Sequence, residues 1–461
     1  MQVLLLVEVI GKAIDEIELQ EVFLLKQAII LVGGKGTRLK NISKGLPKPM
    51  TLVMGKPLLQ HIIEQCCKYG FLDIVLLVSY KYEAIEDFFA DGRKFGVSIK
   101  YCFDKKQRGT AGALLDSFSS LNNQFLIIYG DTFFDIDLDL LWDFHNIKLG
   151  DVSIFLHPND HPQDSDLIDI NSNSMVTNIH PYPHDFQWQR NLVNAALYVF
   201  SKSSLVNISL KSNKPDIVKD LFPSMLKSGR KLYGYLSTEY IKDIGTPERL
   251  DKVETDICSG RVKKLRKQTK KIAIFLDRDG VINKEVDHLS ETEQFELIPG
   301  VEKAISNINK AGILAVVVTN QPVIARGDLQ EDELRVIHNK MDTLLGEQGA
   351  YIDRLYYCPH HPDRGFPGEI SELKFECDCR KPKIGLFMQA KNELNISLAK
   401  SWIIGDSTRD ILSAEFAGLQ SILVETGNAG RDFKYDVTPK YISKNLSEAV
   451  SLILEKIKND C

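Results

Sequence analysis

No stretch of the chain approaches the roughly 18 uncharged apolar residues expected of a membrane span. The one apolar opening, MQVLLLVEVI, is interrupted by Glu8. That opening also lacks a basic leading region and a small-residue cleavage site, so a secretory leader is not expected. Positive charge is not in excess: 57 Lys plus Arg stand against 62 Asp plus Glu, a formal net charge of -5. A chain so balanced has no bulk field for gripping nucleic acid by phosphate neutralisation, and an anionic ligand must be met locally. Internal repeats and low-complexity tracts are missing too, which argues against solenoid and unstructured architectures. Cysteine is scarce, 8 residues in 461. In the soluble, cytoplasmic chain that these absences describe, disulfides are uncommon, and clustered cysteines lean towards metal or catalysis.

A length of 461 residues exceeds one ordinary domain. Two β-branched apolar runs each lead into a loop of special residues, QAIILVGGKGTRL from Gln27 and KIAIFLDRDGVIN from Lys271. Each reads as the first buried strand of a parallel α/β sheet. Between them ICSGRVKKLRKQTKK, from Ile257, is basic and nearly free of apolar periodicity, the pattern of a solvated hinge. The expected division is an extension over 1–26 without a functional reading, a domain over 27–255, a basic linker over 256–270 and a domain over 271–461. Both domains alternate short apolar strands with helical stretches, so both are expected to be doubly wound, with ligands beyond the carboxyl ends of their strands.

After the first strand come Gly33, Gly34, Lys35, Gly36, Thr37 and Arg38, and then Lys48 between prolines in LPKPM. Glycines let the backbone approach a polyphosphate and aim N–H groups at it, while Arg38 and Lys48 bring mobile charge. A plain strand-to-helix turn is the bland alternative, since a glycine-rich loop alone is weak evidence. Asp131 in IIYGDTFF and Asp243 in IKDIGTPERL reduce it: paired carboxylates can hold a Mg²⁺ that bridges a triphosphate and an attacking sugar phosphate. RGTAGALLDSF supplies a further small-residue loop.

In this order GGKGTRL, LPKPM, GTAGAL, YGD, NAALYVF and KDIGTPE resemble the sugar-phosphate nucleotidyltransferase family over roughly residues 27 to 255. The resemblance implies that Gly33 to Arg38 wrap the triphosphate and that Lys48 contacts phosphate. It places Gly109 at the base, Asn194 at the sugar, and Asp131 with Asp243 at Mg²⁺. Two departures stand out. His180 occupies roughly the place of a family lysine that meets the sugar phosphate, and Ala196 replaces a usual glycine. A neutral imidazole donates one hydrogen bond and brings no obligatory charge. His184 and Arg190 are nearby groups able to compensate. A nucleotide-sugar sensor without turnover is the alternative reading of this half.

In the second half Asp277 and Asp279 stand two apart after a buried strand. One carboxylate there can attack phosphorus while its neighbour protonates the leaving alcohol and later activates water. Thr319 and Asn320 end the run AVVVTN, CRKPK supplies Arg380 and Lys381, and WIIGDSTRD supplies Asp406 and Asp410. Phosphate monoester hydrolysis is among the slowest uncatalysed reactions, so a site needs nucleophile, acid, cation and Mg²⁺ together. These four pieces in this order resemble the haloacid dehalogenase-like phosphatases over roughly 271 to 455. Asp277, Asp279 and Asp406 are then the expected Mg²⁺ ligands.

Cys358 and His360, with Cys377 and Cys379, form two close pairs suited to a tetrahedral Zn²⁺. His361 is an alternative ligand. A disulfide would leave an odd cysteine, and chance does not explain the pairing. No ligand position is left open, so this zinc is expected to be structural, clamping the loop that delivers Arg380 and Lys381. FLDRDGVIN, VVTNQPVIARG, YYCPHHP and CDCRKP together resemble one branch of the superfamily, the heptose 1,7-bisphosphate phosphatases and related histidinol phosphatases. The likeness implies that Arg326 and Arg380 orient the far end of a bisphosphate. The overall expectation is an α/β chain of two doubly wound domains, a Rossmann-like nucleotidyltransferase fold and a haloacid dehalogenase-like fold with a zinc loop. It would remove the 7-phosphate of D-glycero-D-manno-heptose 1,7-bisphosphate and then transfer a nucleotidyl group, GMP from GTP by family pairing, to the 1-phosphate. Its partners would be sugar phosphates and a nucleoside triphosphate, with no nucleic acid and no membrane, and a homo-oligomer is compatible with this. A histidinol-phosphate phosphatase is the alternative.

Overall fold

The structure is a computed structural model that describes residues 26–33, 45–79, 81–104, 108–184 and 187–459. Gly34, Lys35, Gly36, Thr37 and Arg38 lie outside the described residues, as does the extension up to residue 25. Among the described residues no helix is long and apolar enough to cross a membrane.

The run KQAIIL forms strand Lys26–Leu31, buried from Gln27 onward. It pairs in parallel with Phe71–Val78 on one side and Gln124–Tyr129 on the other, which is why its apolar pattern is continuous rather than alternating. The nine-stranded sheet runs Val176–His180, Leu167–Ile170, Val193–Ser201, Gln124–Tyr129, Lys26–Leu31, Phe71–Val78, Ser98–Phe103, while Val152–His157 pairs with Val193–Ser201 and Leu232–Leu236 pairs with Val152–His157. Val193–Ser201 enters antiparallel, so the sheet is mixed. Helix Leu58–Lys68 buries Leu58, Leu59, Ile62, Ile63 and Cys66 against it, which makes Cys66 a core thiol. A two-stranded ribbon, Thr132–Asp135 against Tyr240–Asp243, brings Asp131 and Asp243 to one place.

The second sheet has six strands, all parallel, in the order Arg354–Cys358, Leu314–Asn320, Ala273–Leu276, Trp402–Gly405, Gln420–Val424, Tyr441–Ser443. Its central strand, Ala273–Leu276, is wholly buried, and Asp277 follows it directly.

The segment between the sheets differs from the solvated hinge expected of its basic composition. It is helical at Arg261–Lys264, and Val262 and Leu265 are buried. Arg261 donates to Asp256 at 2.8 Å and to the Tyr351 hydroxyl at 2.8 Å, while Arg266 pairs with Asp135 at 2.7 Å. Arg261 and Arg266 are thus spent on partners in the two halves, which a composition count cannot reveal.

Candidate active sites

In the second half, the end of the central strand turns Asp277 towards Lys381. The Lys381 ammonium lies 2.8 Å from Asp277 and 2.7 Å from Asp410, and both Lys381 and Asp410 are fully buried. Asp410 is the third residue of helix Thr408–Ala417 and closes a capping box with Ser407, whose hydroxyl donates to it at 2.7 Å. Asp406 accepts from the backbone and side-chain N–H groups of Asn428 at 2.7 and 3.0 Å. Two glycines make room for it: a Cβ on Gly280 (φ +76) or Gly427 (φ +60) would stand 2.2 Å from the Asp406 carboxylate. Asp277, Asp406 and Asp410 present oxygens within 4.8 Å of one another. Burial first, and then the neighbouring carboxylates, push Asp406 upward. Two buried carboxylates and the half-buried Asp277, answered by one lysine, fit a divalent cation, which would restore the balance.

The Asp279 side chain is not part of that group. It is gripped by Arg278, whose NH2 donates to both carboxylate oxygens at 2.8 and 2.9 Å, and by Gln321 at 3.0 Å. Against the expected ligand set of Asp277, Asp279 and Asp406, the structure gathers Asp410 in place of the Asp279 carboxylate, because the intervening Arg278 folds back on its neighbour. Thr319 is buried and its hydroxyl accepts from Gln321 at 2.9 Å. Asn320 clamps the Lys381 backbone from both sides, accepting from its N–H at 2.9 Å and donating to its carbonyl at 3.1 Å.

The four sulfur and nitrogen donors of the cysteine loop converge. Cys379 Sγ lies 3.2 Å from Cys358, 3.1 Å from Cys377 and 3.1 Å from His360 Nδ1. His361 is turned away, its Nδ1 accepting from Asp363 N–H at 3.2 Å, so His360 is the imidazole among the thiols. The three sulfurs and one imidazole nitrogen are a donor set suited to Zn²⁺. The next residue after the last thiol, Arg380, donates to the His360 carbonyl at 3.1 Å. Phe366 in the same loop is flanked by the Arg326 guanidinium at 4.1 Å and the buried Lys374 ammonium at 4.4 Å.

In the first half, Gly33 ends the described part of the first loop, and Gly109 opens helix Gly109–Asp116. Lys48 pairs with Asp131 at 2.6 Å, and Arg249 takes both oxygens of Asp243 at 2.9 Å. The two carboxylates are neighbours, but each meets a cation, so a metal there would compete with Lys48 and Arg249. Arg249 was passed over in the sequence, although it lies two residues inside the helix that Pro247 begins. Asn194 donates its N–H to the Asp166 carbonyl at 2.9 Å. His180 bonds Asp169 at 2.7 Å and His184 bonds the Ser165 carbonyl at 2.7 Å. Arg190 is half-buried, facing Asp342 of the second half as well as Asp169. Lys219, which donates to the Tyr182 carbonyl at 3.0 Å, is a cation in this neighbourhood that pattern reading did not single out.

Two α/β units, one bringing Asp131 and Asp243 together and one with an aspartate and lysine cluster, belong to a chain that is both a nucleotidyltransferase and a phosphatase. The nucleotidyl transferase family model matches residues 27–260, and a HAD-hydrolase-like model matches 378–449. The D-glycero-beta-D-manno-heptose-1,7-bisphosphate 7-phosphatase of Vibrio cholerae is 44% identical over 158 residues, which span 34% of this chain and 83% of that protein. Among solved structures, D,D-heptose 1,7-bisphosphate phosphatase from B. bronchiseptica with magnesium and phosphate is 31% identical, covering 40% of this chain and 99% of that one, with a TM-score of 0.36. HddC from Yersinia pseudotuberculosis with GMP-PN is 26% identical, covering 50% and 99%, with a TM-score of 0.44. The chain belongs to the nucleotidyl transferase family through its first half and, through its second, to the haloacid dehalogenase-like family of the Vibrio cholerae phosphatase.

Proposed function

We propose that the chain performs two consecutive steps in making a nucleotide-activated heptose. The second half removes the 7-phosphate of D-glycero-D-manno-heptose 1,7-bisphosphate, and the first half joins a nucleotidyl group, GMP from GTP, to the heptose 1-phosphate so released. The observation that carries the reading is the Asp277, Lys381, Asp410 and Asp406 constellation within a segment 44% identical to a heptose bisphosphate phosphatase.

In this reading an Asp277 oxygen attacks phosphorus. The ester P–O bond breaks, and the leaving oxygen takes a proton from Asp279. Asp279 then accepts a proton from the water that attacks the aspartyl phosphate, and inorganic phosphate departs as Asp277 is restored. Lys381 neutralises charge on the phosphoryl oxygens, and Thr319 and Asn320 fix their direction. Asp277, Asp406 and Asp410 would hold Mg²⁺, which when bound draws charge from the phosphoryl oxygens. Cys358, His360, Cys377 and Cys379 would hold a structural Zn²⁺ that orders the loop bearing Arg326's partner Phe366 and Arg380, the two arginines then meeting the 1-phosphate.

In the first half Gly33 to Arg38 would wrap the triphosphate, with Gly109 at the base and Asn194 at the sugar. Lys48 would exchange Asp131 for a phosphate oxygen, after which Asp131 and Asp243 are the carboxylates for Mg²⁺. His180 stays on Asp169 and orients the sugar pocket. The use of a nucleoside triphosphate and of thiol ligands supports a cytoplasmic reaction.

The test offers each anomer of the bisphosphate with Mg²⁺ and each nucleoside triphosphate in turn, followed by phosphorus NMR. Loss of one phosphate and then appearance of a nucleotide diphosphate heptose is expected, with GTP as donor. Phosphate release that stops at the 1-phosphate with every donor would overturn the transferase half of the reading.

A further inference from the structure

Arg278 stands between the two aspartates of the D-x-D loop, yet its side chain is 1% exposed. A buried guanidinium must be matched on all sides. On one side it grips Asp279, through Nε at 3.1 Å and NH2 at 2.8 and 2.9 Å. On the other, its NH1 faces His338 Nε2 at 3.3 Å. Burial and the Arg278 charge push His338 down to about 3, so the imidazole is neutral and its Nε2 can accept.

His338 belongs to helix Glu331–Gly346, and one turn further on the same helix meets the first half of the chain. Asp342 accepts from Asn191 N–H at 3.1 Å, and Thr343 Oγ1 accepts from Gln189 N–H at 2.8 Å. Lys340 lies over the Trp188 ring at 5.3 Å. At the end of the helix, Gly346 lets Pro162 close in, since a Cβ there would stand 2.4 Å from Pro162 Cγ. The helix that supports Arg278 is therefore seated by the loop Trp188–Asn191, which leads directly into the strand carrying Asn194.

We propose that Arg278 is a positioning residue for the phosphatase reaction, holding the Asp279 carboxylate in line for proton transfer, and that the nucleotidyltransferase half secures it through helix Glu331–Gly346 and His338. The inference rests on the reading of the second half as a phosphatase. Without the seat, the helix loses partners for Asp342 and Thr343, His338 shifts, and Arg278 no longer fixes its neighbour. Side-chain orientation within a fraction of an ångström governs how well a general acid works.

The experiment uses the full chain with zinc and Mg²⁺ and compares kcat/KM on the sugar bisphosphate with kcat/KM on p-nitrophenyl phosphate, whose leaving group needs no proton. Arg278→Met is expected to lower the first about 100-fold and the second less than about threefold, within the usual range for general acid catalysis. Arg278→Lys is expected to fall between Met and wild type. Thr343→Val and Asp342→Leu, which touch neither substrate nor metal, should show the same selective loss at about five- to tenfold, while Thr343→Ser, retaining the hydroxyl, restores it. Circular dichroism and nucleotidyl transfer at wild-type level establish that the variants are folded. Equal loss on both substrates, or seat variants with wild-type values on both, overturns the proposal. A wild-type chain that hydrolyses neither substrate overturns the phosphatase reading instead.

Discussion

Asp406 has no freedom in this structure, since its carboxylate is enclosed by Gly280, Gly427 and Asn428. Gly280→Ala combines a left-handed φ with a clash into that carboxylate, so phosphatase turnover is expected to fall at least about 100-fold while nucleotidyl transfer persists, measured by separate assays of the two steps. Asp277, the proposed nucleophile, and Asp131, the proposed transferase carboxylate, give a crossed test. Asp277→Asn should abolish phosphate release and leave transfer from a supplied sugar 1-phosphate, and Asp131→Ala should do the reverse. Loss of both activities in either variant would contradict independent chemistry. Ala196 sits at φ +57, where a side chain is strained, so Ala196→Gly should make the chain more stable to denaturant by about 1 kcal/mol. At this scale the sequence is legible where a residue lies at or just beyond the end of a strand, as Asp277, Thr319, Asp131 and Asp243 do. Arg278 was opaque, because nothing in D-R-D says whether the middle side chain points to solvent or back at its neighbour.

Among the elements, the cysteine loop is held by charge and donors more than by apolar contacts. Lys374, fully buried, finds Glu369 at 3.5 Å and the Phe366 ring, and Arg326 shares that ring. On the proposed reading that Cys358, His360, Cys377 and Cys379 hold Zn²⁺, about one zinc per chain is expected by elemental analysis. Chelation should lower the melting temperature of the second half before the first and reduce turnover of the bisphosphate. Unchanged turnover after complete extraction would mean that the loop orders itself. The spacing of the four donors was readable in the sequence, but the choice of His360 over His361 was not, because adjacent side chains in an irregular segment can point either way. Helix Glu331–Gly346 shows the same limit. Its amphipathic pattern is plain, with Leu334, Ile337, Met341 and Leu345 buried, whereas the partner of its polar side lies some 150 residues away in sequence.

The whole molecule is joined by a polar seam. Along it lies a small open pocket lined by His157, Asp160, Tyr240, Lys242, Arg261, Tyr351 and Asp353. Burial pushes the Asp353 carboxyl from its ordinary 3.8 up to about 7, while the Ala315 N–H and the charges of Arg261 and Arg354 lower it only in part. Because the folded chain holds this proton more tightly than the unfolded one, the stabilisation is complete below about pH 4 and is lost as pH rises through about 7, on the order of 4 kcal/mol in all. Asp353→Asn keeps an acceptor for Ala315 and removes the titration. Its melting temperature should exceed wild type at pH 8 and approach it at pH 4, and parallel curves would show that Asp353 is not the group responsible. Two domains and their order could be read from the strand and loop motifs, but the seam could not, since composition made its basic segment look like a hinge.

A systematic substitution library scored in both assays would carry the mark of that seam. Thr343 and Gln189 perform no chemistry, yet substitutions at Thr343 that remove its hydroxyl should lower phosphatase turnover, by less than substitutions at residues that do chemistry. The second enzyme would then be unable to drift freely in sequence while the first stands still, and the two halves would be inherited as one adapted unit.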